Sequence, residues 1–268
     1  RKFKRLLIYK NKKKSNDYTN NHGSIKKERG LLRISSFYYF IEERWNKDII
    51  NNKKIQKILD IFYPQMCGIC EKESRNSLCF KCRKKIQREF KFTTIYSKKQ
   101  NFSEQYYLFQ YKNLIRNLIL QIKFQRKPYI YKTIEYFLQN NKKYLEKLKK
   151  YDIIIVVPLS WKRSLQRGYN QSLLIAKIIS NILQIKIENK VLYKNKNIVP
   201  QSTLSKRERE KNIKRAFKIK DIEKVKNKKI LIIDDIYTTG STLNECAKLL
   251  LKSGIKKENI GVLTLAKD

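Results

Sequence analysis

The sequence predicts an α/β fold preceded by a small four-cysteine module, and three observations carry that prediction. Short runs of apolar β-formers alternate with stretches of helical apolar spacing. The clearest runs, Ile153–Val157 and Ile230–Ile233, each end in a loop that leads into a helical pattern, the signature of strand–helix units. Ahead of them stand two CxxC pairs, Cys67-Gly-Ile-Cys70 and Cys79-Phe-Lys-Cys82, with eight residues between them.

Composition sets the outer bounds. A chain of 268 residues holds one domain of ordinary size plus a small module, and 41% hydrophobic content is enough for a core. No apolar run approaches the roughly 18 residues that a membrane helix needs. Leu6-Leu7-Ile8 is too short for the core of a signal peptide. The expectation is a soluble, cytoplasmic protein, although the sequence opens on Arg1 rather than Met. The formal charge of +40 invites a nucleic-acid reading. Residues 1–60 contribute +11 of it and the remaining 208 residues +29, so the excess is spread along the chain. A binding face and a general coding bias toward Lys, Asn and Ile account for it equally well.

Taken in order, residues 1–50 are Lys- and Asn-rich and read as a disordered basic extension, with a short helix allowed around Phe37–Trp45. His22, the single histidine, lies there, which removes any Ser/His/Asp or Cys/His catalytic scheme. Ile55–Phe62 has helical spacing and runs into Pro64. The paired cysteines that follow suit a closed tetrahedral zinc site with Cys67, Cys70, Cys79 and Cys82 as ligands, Gly68 supplying a left-handed turn. Two disulfides are the alternative, which reduced surroundings disfavour. A basic helix, Arg83–Phe90, comes next, and residues 55–92 form the cysteine module.

The main domain is expected over 104–268. Tyr106–Tyr111 reads as a strand; Leu114, Leu118, Ile119 and Ile122 make one helix face; Tyr131–Lys149 is an amphipathic helix. Strand Ile153–Val157 stops at Pro158, and the loop through Leu159, Ser160, Lys162, Arg163 and Arg167 leads to a helix over Gln171–Leu183. Ile185–Leu192 reads as one strand and Ile260–Leu265, after the Gly254 turn, as the last. Five arginines fall between Arg163 and Arg215 in a chain whose default cation is Lys, which points to planar recognition of anions. Lys206, Arg207 and Arg209 could close over such an anion or, on the bland reading, solvate a charged helix.

The stretch KILIIDDIYTTGST, Lys229 to Thr242, carries the functional signal. A strand, the carboxylates Asp234 and Asp235, a turn of Thr238, Thr239, Gly240, Ser241 and Thr242, and a helix start follow one another. Free N–H groups and the dipole at such a helix start attract phosphate, and Gly240 lets it come close. The carboxylates would repel that phosphate and suit ribose hydroxyls instead. An ordinary turn whose hydroxyls cap the helix is the alternative. The stretch resembles the PRPP-binding motif of type I phosphoribosyltransferases, PRPP being 5-phosphoribosyl 1-pyrophosphate.

With the CxxC pairs, YKNLIRNLILQIKF, VPLSWKRSLQRGYNQS and QSTLSKREREKNIKRAF, the chain from about Ile58 to its end resembles the ComF family, which is linked to DNA uptake in competence. Tyr169 stands where that family usually has Phe. The resemblance implies a mainly parallel sheet with helices on both faces. It implies that Asp234 and Asp235 take the ribose hydroxyls with Mg²⁺ nearby and that Thr238–Thr242 cradle the 5′-phosphate. It places the pyrophosphate loop at Val157–Ser160, with Pro158, Leu159 and Ser160 at the ligand, and a mobile loop at Arg163–Asn170, carrying Arg163 and Arg167, or at Gln201–Arg209, where Lys206 and Arg207 would meet the pyrophosphate. Transfer at the sugar C1 to an unnamed acceptor would pass through an oxocarbenium-like state. The other implied role is a competence accessory protein that binds single-stranded DNA or a helicase partner.

Overall fold

The computed structural model describes residues 66–124, 130–159, 169–194 and 216–268. The predicted basic extension, the Ile55–Phe62 helix and the loops carrying Ser160, Lys162, Arg163, Arg167, Lys206, Arg207 and Arg209 lie outside the described residues.

Helix α1 (Phe80–Glu89) follows the cysteines, starting at Phe80 and giving way to strand at Phe90. Strands β1 (Phe90–Tyr96) and β2 (Glu104–Gln110) form an antiparallel pair. Then come α2 (Asn113–Phe124), α3 (Ile130–Asn140) and a 3₁₀ segment, Lys142–Lys150. Strand β3 (Ile153–Val156), α4 (Gln171–Leu183) and β4 (Lys186–Glu188) make one strand–helix–strand unit. Strands β5 (Leu192–Lys194) and β6 (Phe217–Ile219) pair apart from the main sheet. Strand β7 (Ile230–Tyr237), α5 (Ser241–Lys252) and β8 (Ile260–Lys267) complete the chain.

The main sheet runs β1-β2-β8-β7-β3-β4, and all its pairings except β1–β2 are parallel. Alternating strand residues feed two cores. Ile154, Val156, Leu231, Ile233, Leu263 and Leu265 pack with α1 to α4 on one face. Ile153, Ile155, Ile230, Ile232, Ile260 and Val262 pack on the other with Leu243, Cys246, Ala247 and Leu250 of α5 and with Leu192 and Phe217. Parallel strands covered on both faces are apolar throughout, which is why Ile153–Val156 and Ile230–Ile233 are unbroken apolar runs. The expected mainly parallel sheet with helices on both faces is present.

Four elements differ from expectation. The helix expected over Tyr131–Lys149 breaks at Asn140-Asn141, whose side-chain amides donate to the Tyr136 and Phe137 carbonyls at 2.7 and 2.9 Å and close the α-helix. The strand expected over Ile185–Leu192 is two strands in two sheets. A turn at Asn189-Lys190 separates them, held by the Lys190 N–H donating to Glu188 at 3.3 Å. Strand β1 has no counterpart in the sequence reading. Strand β7 runs on through the acidic pair to Tyr237 because β8 continues beside it to Lys267.

Candidate functional site: a crevice and a four-cysteine cluster

The chain leaves β3 through α4 to reach β4 on one side and leaves β7 through α5 to reach β8 on the other. Strands β3 and β7 are neighbours, so the sheet's connections diverge between them. α4 and α5 belong to opposite cores. Such a divergence opens a crevice at the carboxyl ends of the strands, where ligands of open α/β sheets bind. Both helix N-termini face the end of the sheet that carries Asp234 and Asp235.

The turn is built around Gly240, which caps α5 in the left-handed conformation at φ 74°. A Cβ there would lie 2.1 Å from the Tyr237 hydroxyl oxygen, so two constraints require glycine. The Thr239 and Ser241 hydroxyls are 2.8 Å apart, and the Ser241 N–H points to Thr239 Oγ1 at 3.4 Å. Thr238, Thr239 and Ser241 are exposed, and with Gly240, Thr242 and Asp234 they line a concavity of about 30 Å³. Asn244, in the first turn of α5, is held by both backbone and side chain of Asn101 at 2.7 and 3.2 Å.

The two carboxylates have different surroundings. Asp234 accepts from the Ser172 hydroxyl at 2.8 Å and from the Asp235 N–H at 2.9 Å. Burial, then the Asp235 charge, pushes its carboxyl up to about 7 against the opposing pull of those hydrogen bonds and of Lys123. Asp235 forms an ion pair with Lys123 of α2 at 2.8 Å, each side chain 16% exposed. Lys123, Asn170 and Ser172 are site-facing residues that the motifs contain but that sequence reasoning gave no role. Asn170 caps α4 by accepting from the Ser172 N–H at 3.0 Å and donates to the Val157 carbonyl at 3.1 Å. Tyr169 donates to the Ile122 carbonyl at 2.6 Å, a bond that phenylalanine would lack. Pro158 and Leu159 follow β3, half-buried. The structure thus brings Asp234, Asp235 and Thr238–Thr242 together with Pro158 and Leu159 on the neighbouring strand's end.

The second site is the cysteine cluster. The sulfurs of Cys67, Cys70, Cys79 and Cys82 all lie within 4.8 Å of one another, and those of Cys70 and Cys79 are 3.8 Å apart. Tetrahedral bonds of about 2.3 Å to zinc place sulfurs about 3.8 Å apart, so the donor set fits a closed thiolate site. Burial works to raise the Cys67 thiol, but the N–H groups of Cys70, Cys79 and Ile69 and the Cys70 thiol outweigh it and bring it down to about 7. Burial and the neighbouring thiols push Cys82 up, a crowding that a bound cation relieves. The left-handed turn expected at Gly68 falls instead on Glu71, at φ 57°. Gly68 is needed for close approach, since a Cβ would lie 2.0 Å from Thr133 Oγ1 on α3. Thr133 in turn donates to the Ser77 carbonyl at 2.8 Å. Cys67, Leu78, Cys82 and Ile86 share one core with α2 and α3, so the cysteine segment is fused to the sheet domain. Cys246 is buried on α5 in the other core, apart from the cluster.

Residues 169–268 match the family model of the phosphoribosyl transferase domain, the class that the sheet and the β7–α5 turn define. The chain is 36% identical over 154 residues to competence protein F of Haemophilus influenzae, covering 56% of this chain and 66% of that one. It is 34% identical over 140 residues to the DNA utilization protein YhgH of Escherichia coli K12, covering 51% and 61%. It is 30% identical over 149 residues to competence protein ComFC of Streptococcus pneumoniae, covering 56% and 62%. The matched region spans just under two thirds of each relative. Over about half its length the chain is thus a homologue of competence and DNA utilization proteins, and its residues 169–268 match a phosphoribosyl transferase domain. No helix among the described residues is long and apolar enough to cross a membrane.

Proposed function

We propose that this chain binds PRPP with Mg²⁺ in the crevice between β3 and β7 and transfers phosphoribose to an acceptor, in the service of DNA uptake. The observation that carries the reading is the glycine-capped β7–α5 turn at the point where the sheet's connections diverge. In this proposal the N–H groups and hydroxyls of Thr238–Thr242 hold the 5′-phosphate, and Asp234 and Asp235 accept from the ribose hydroxyls. Pro158, Leu159 and Ser160 face the pyrophosphate, and Arg163, Arg167, Lys206 and Arg207 offset its charge as it leaves. Mg²⁺ would enter with PRPP and neutralise the same oxygens. The chain's work is then to position the sugar and stabilise the leaving group.

The four cysteines hold a structural zinc ion in this account. In this proposal residues 1–50 are the basic extension, 55–92 the cysteine segment, which takes in the first residues of β1, and 104–268 the phosphoribosyltransferase-like part. A cytoplasmic setting belongs to the proposal, because thiols that ligate metal need reducing surroundings. The names of the relatives, competence and DNA utilization proteins, support the DNA-uptake role. The charge of +40 favours one second reading: an accessory protein that binds single-stranded DNA or a helicase partner and uses the PRPP site only to sense ligand.

Calorimetric titration of PRPP with Mg²⁺ into the zinc-loaded protein tests the proposal. Binding that disappears in an Asp234→Asn/Asp235→Asn variant supports it. Absence of binding to the folded wild type overturns it.

A further inference from the structure

The last turn of helix α2 carries a lysine, Lys123, that is turned inward, and that turn is anchored to the start of α4. The Lys123 ammonium lies 2.8 Å from Asp235, and both side chains are largely withdrawn from water. The carbonyl of the preceding residue, Ile122, is tied to Tyr169 at 2.6 Å, one residue before the Asn170 cap of α4. Two residues after that cap, Ser172 holds Asp234. The segment Tyr169–Ser172 thus fixes both the helix end that carries Lys123 and the carboxylate beside the one Lys123 contacts. Among the described residues, Lys123 forms the one ion pair of the acidic pair.

Asp234 and Asp235, adjacent in the chain at the carboxyl end of β7, put two negative charges close enough to act on each other, and the affinity of a hard divalent cation rises with the number of such charges. Lysine is a compact point charge that neutralises one carboxylate without chelating both. We propose that Lys123 is the built-in counter-ion of the acidic pair, occupying Asp235 so that the empty crevice does not collect a divalent cation of its own. The inference deepens the PRPP reading, because it leaves the metal to enter only with the sugar phosphate. Lys123 is a positioning residue in this scheme, acting through Asp235.

The test uses the full zinc-loaded chain and free Mn²⁺ as the probe, followed by electron paramagnetic resonance in the absence of PRPP. Lys123→Met is expected to gain one Mn²⁺ site at least about tenfold tighter than any in the wild type, as expected for an uncompensated carboxylate pair. Lys123→Gln, which keeps a donor toward Asp235 but no charge, is expected to gain the same site. Lys123→Arg is expected to behave as the wild type, and adding Asp234→Asn to Lys123→Met is expected to remove the gained site. A purely structural lysine would leave Mn²⁺ affinity unchanged, and folded Met and Gln variants with no gain overturn the inference. A gain in Met without one in Gln overturns it too, since charge would not be the cause. PRPP binding is measured in parallel: a wild type that binds no PRPP refutes the PRPP reading, while the Mn²⁺ arm still decides the role of Lys123.

Discussion

Replacing Asp234 by asparagine is expected to stabilise the ligand-free protein, and increasingly so as the pH rises. The carboxyl is raised from an ordinary value of 3.8 to about 7, by burial first and by Asp235 second. Folding therefore favours its protonated form. The stability linked to this group is fully present below pH 4 and is lost as the pH rises through 7. The full cost of holding the ionised form is on the order of 4 kcal/mol, and about half of it falls between pH 5.5 and 8.5. Asparagine does not titrate and retains an oxygen for the Ser172 hydroxyl. Urea unfolding of both proteins without ligand, at pH 5.5 and 8.5, is the assay. The variant's advantage should grow by about 2 kcal/mol between those pH values, less whatever solvent at the crevice mouth screens. Contributions from distant groups, the cysteine cluster among them, cancel in the comparison. An advantage that stays flat or shrinks as the pH rises would show that Asp234 ionises normally, and the argument from its surroundings would fail.

Three further perturbations follow from the geometry. Gly240→Ala places a Cβ against Tyr237 and a side chain at φ 74°, so it should cost about 1–3 kcal/mol in urea unfolding. It should also weaken PRPP binding at least about tenfold, the equivalent of one good hydrogen bond lost at the phosphate; unchanged affinity would detach the turn from the ligand. Cys70→Ser should release about one zinc per chain by metal analysis and lower the melting temperature of the sheet domain, because Cys67 and Cys82 share its core. Cys246→Ala should leave the metal content untouched, and zinc loss there would mean that the ligands are misassigned.

What the sequence made legible was local. The run Ile230–Ile233, the acidic pair, the turn and the helix after it are contiguous, and period, turn chemistry and helix start agree over that one stretch. The CxxC pairs were equally readable, because each knuckle is closed by its own backbone. The bonds that complete the crevice are not local. Ser172 reaches Asp234 across 62 residues, and Lys123 reaches Asp235 from another helix, so no spacing announces either. Strand β1 escaped because its residues are half-buried on an edge of the sheet, where apolar alternation is weak. Glycine was read correctly as special at 68 but for the wrong reason: packing against Thr133 constrains it, and Glu71 takes the left-handed turn.

In the proposed function the ligand's phosphate sits in the β7–α5 turn. Amide hydrogen exchange with and without PRPP and Mg²⁺ tests it most directly. The account predicts slowed exchange over Thr238–Leu243, with smaller effects at the first turn of α4 and none at the amino ends of the strands. Slowing confined to other segments, while PRPP demonstrably binds, would contradict it.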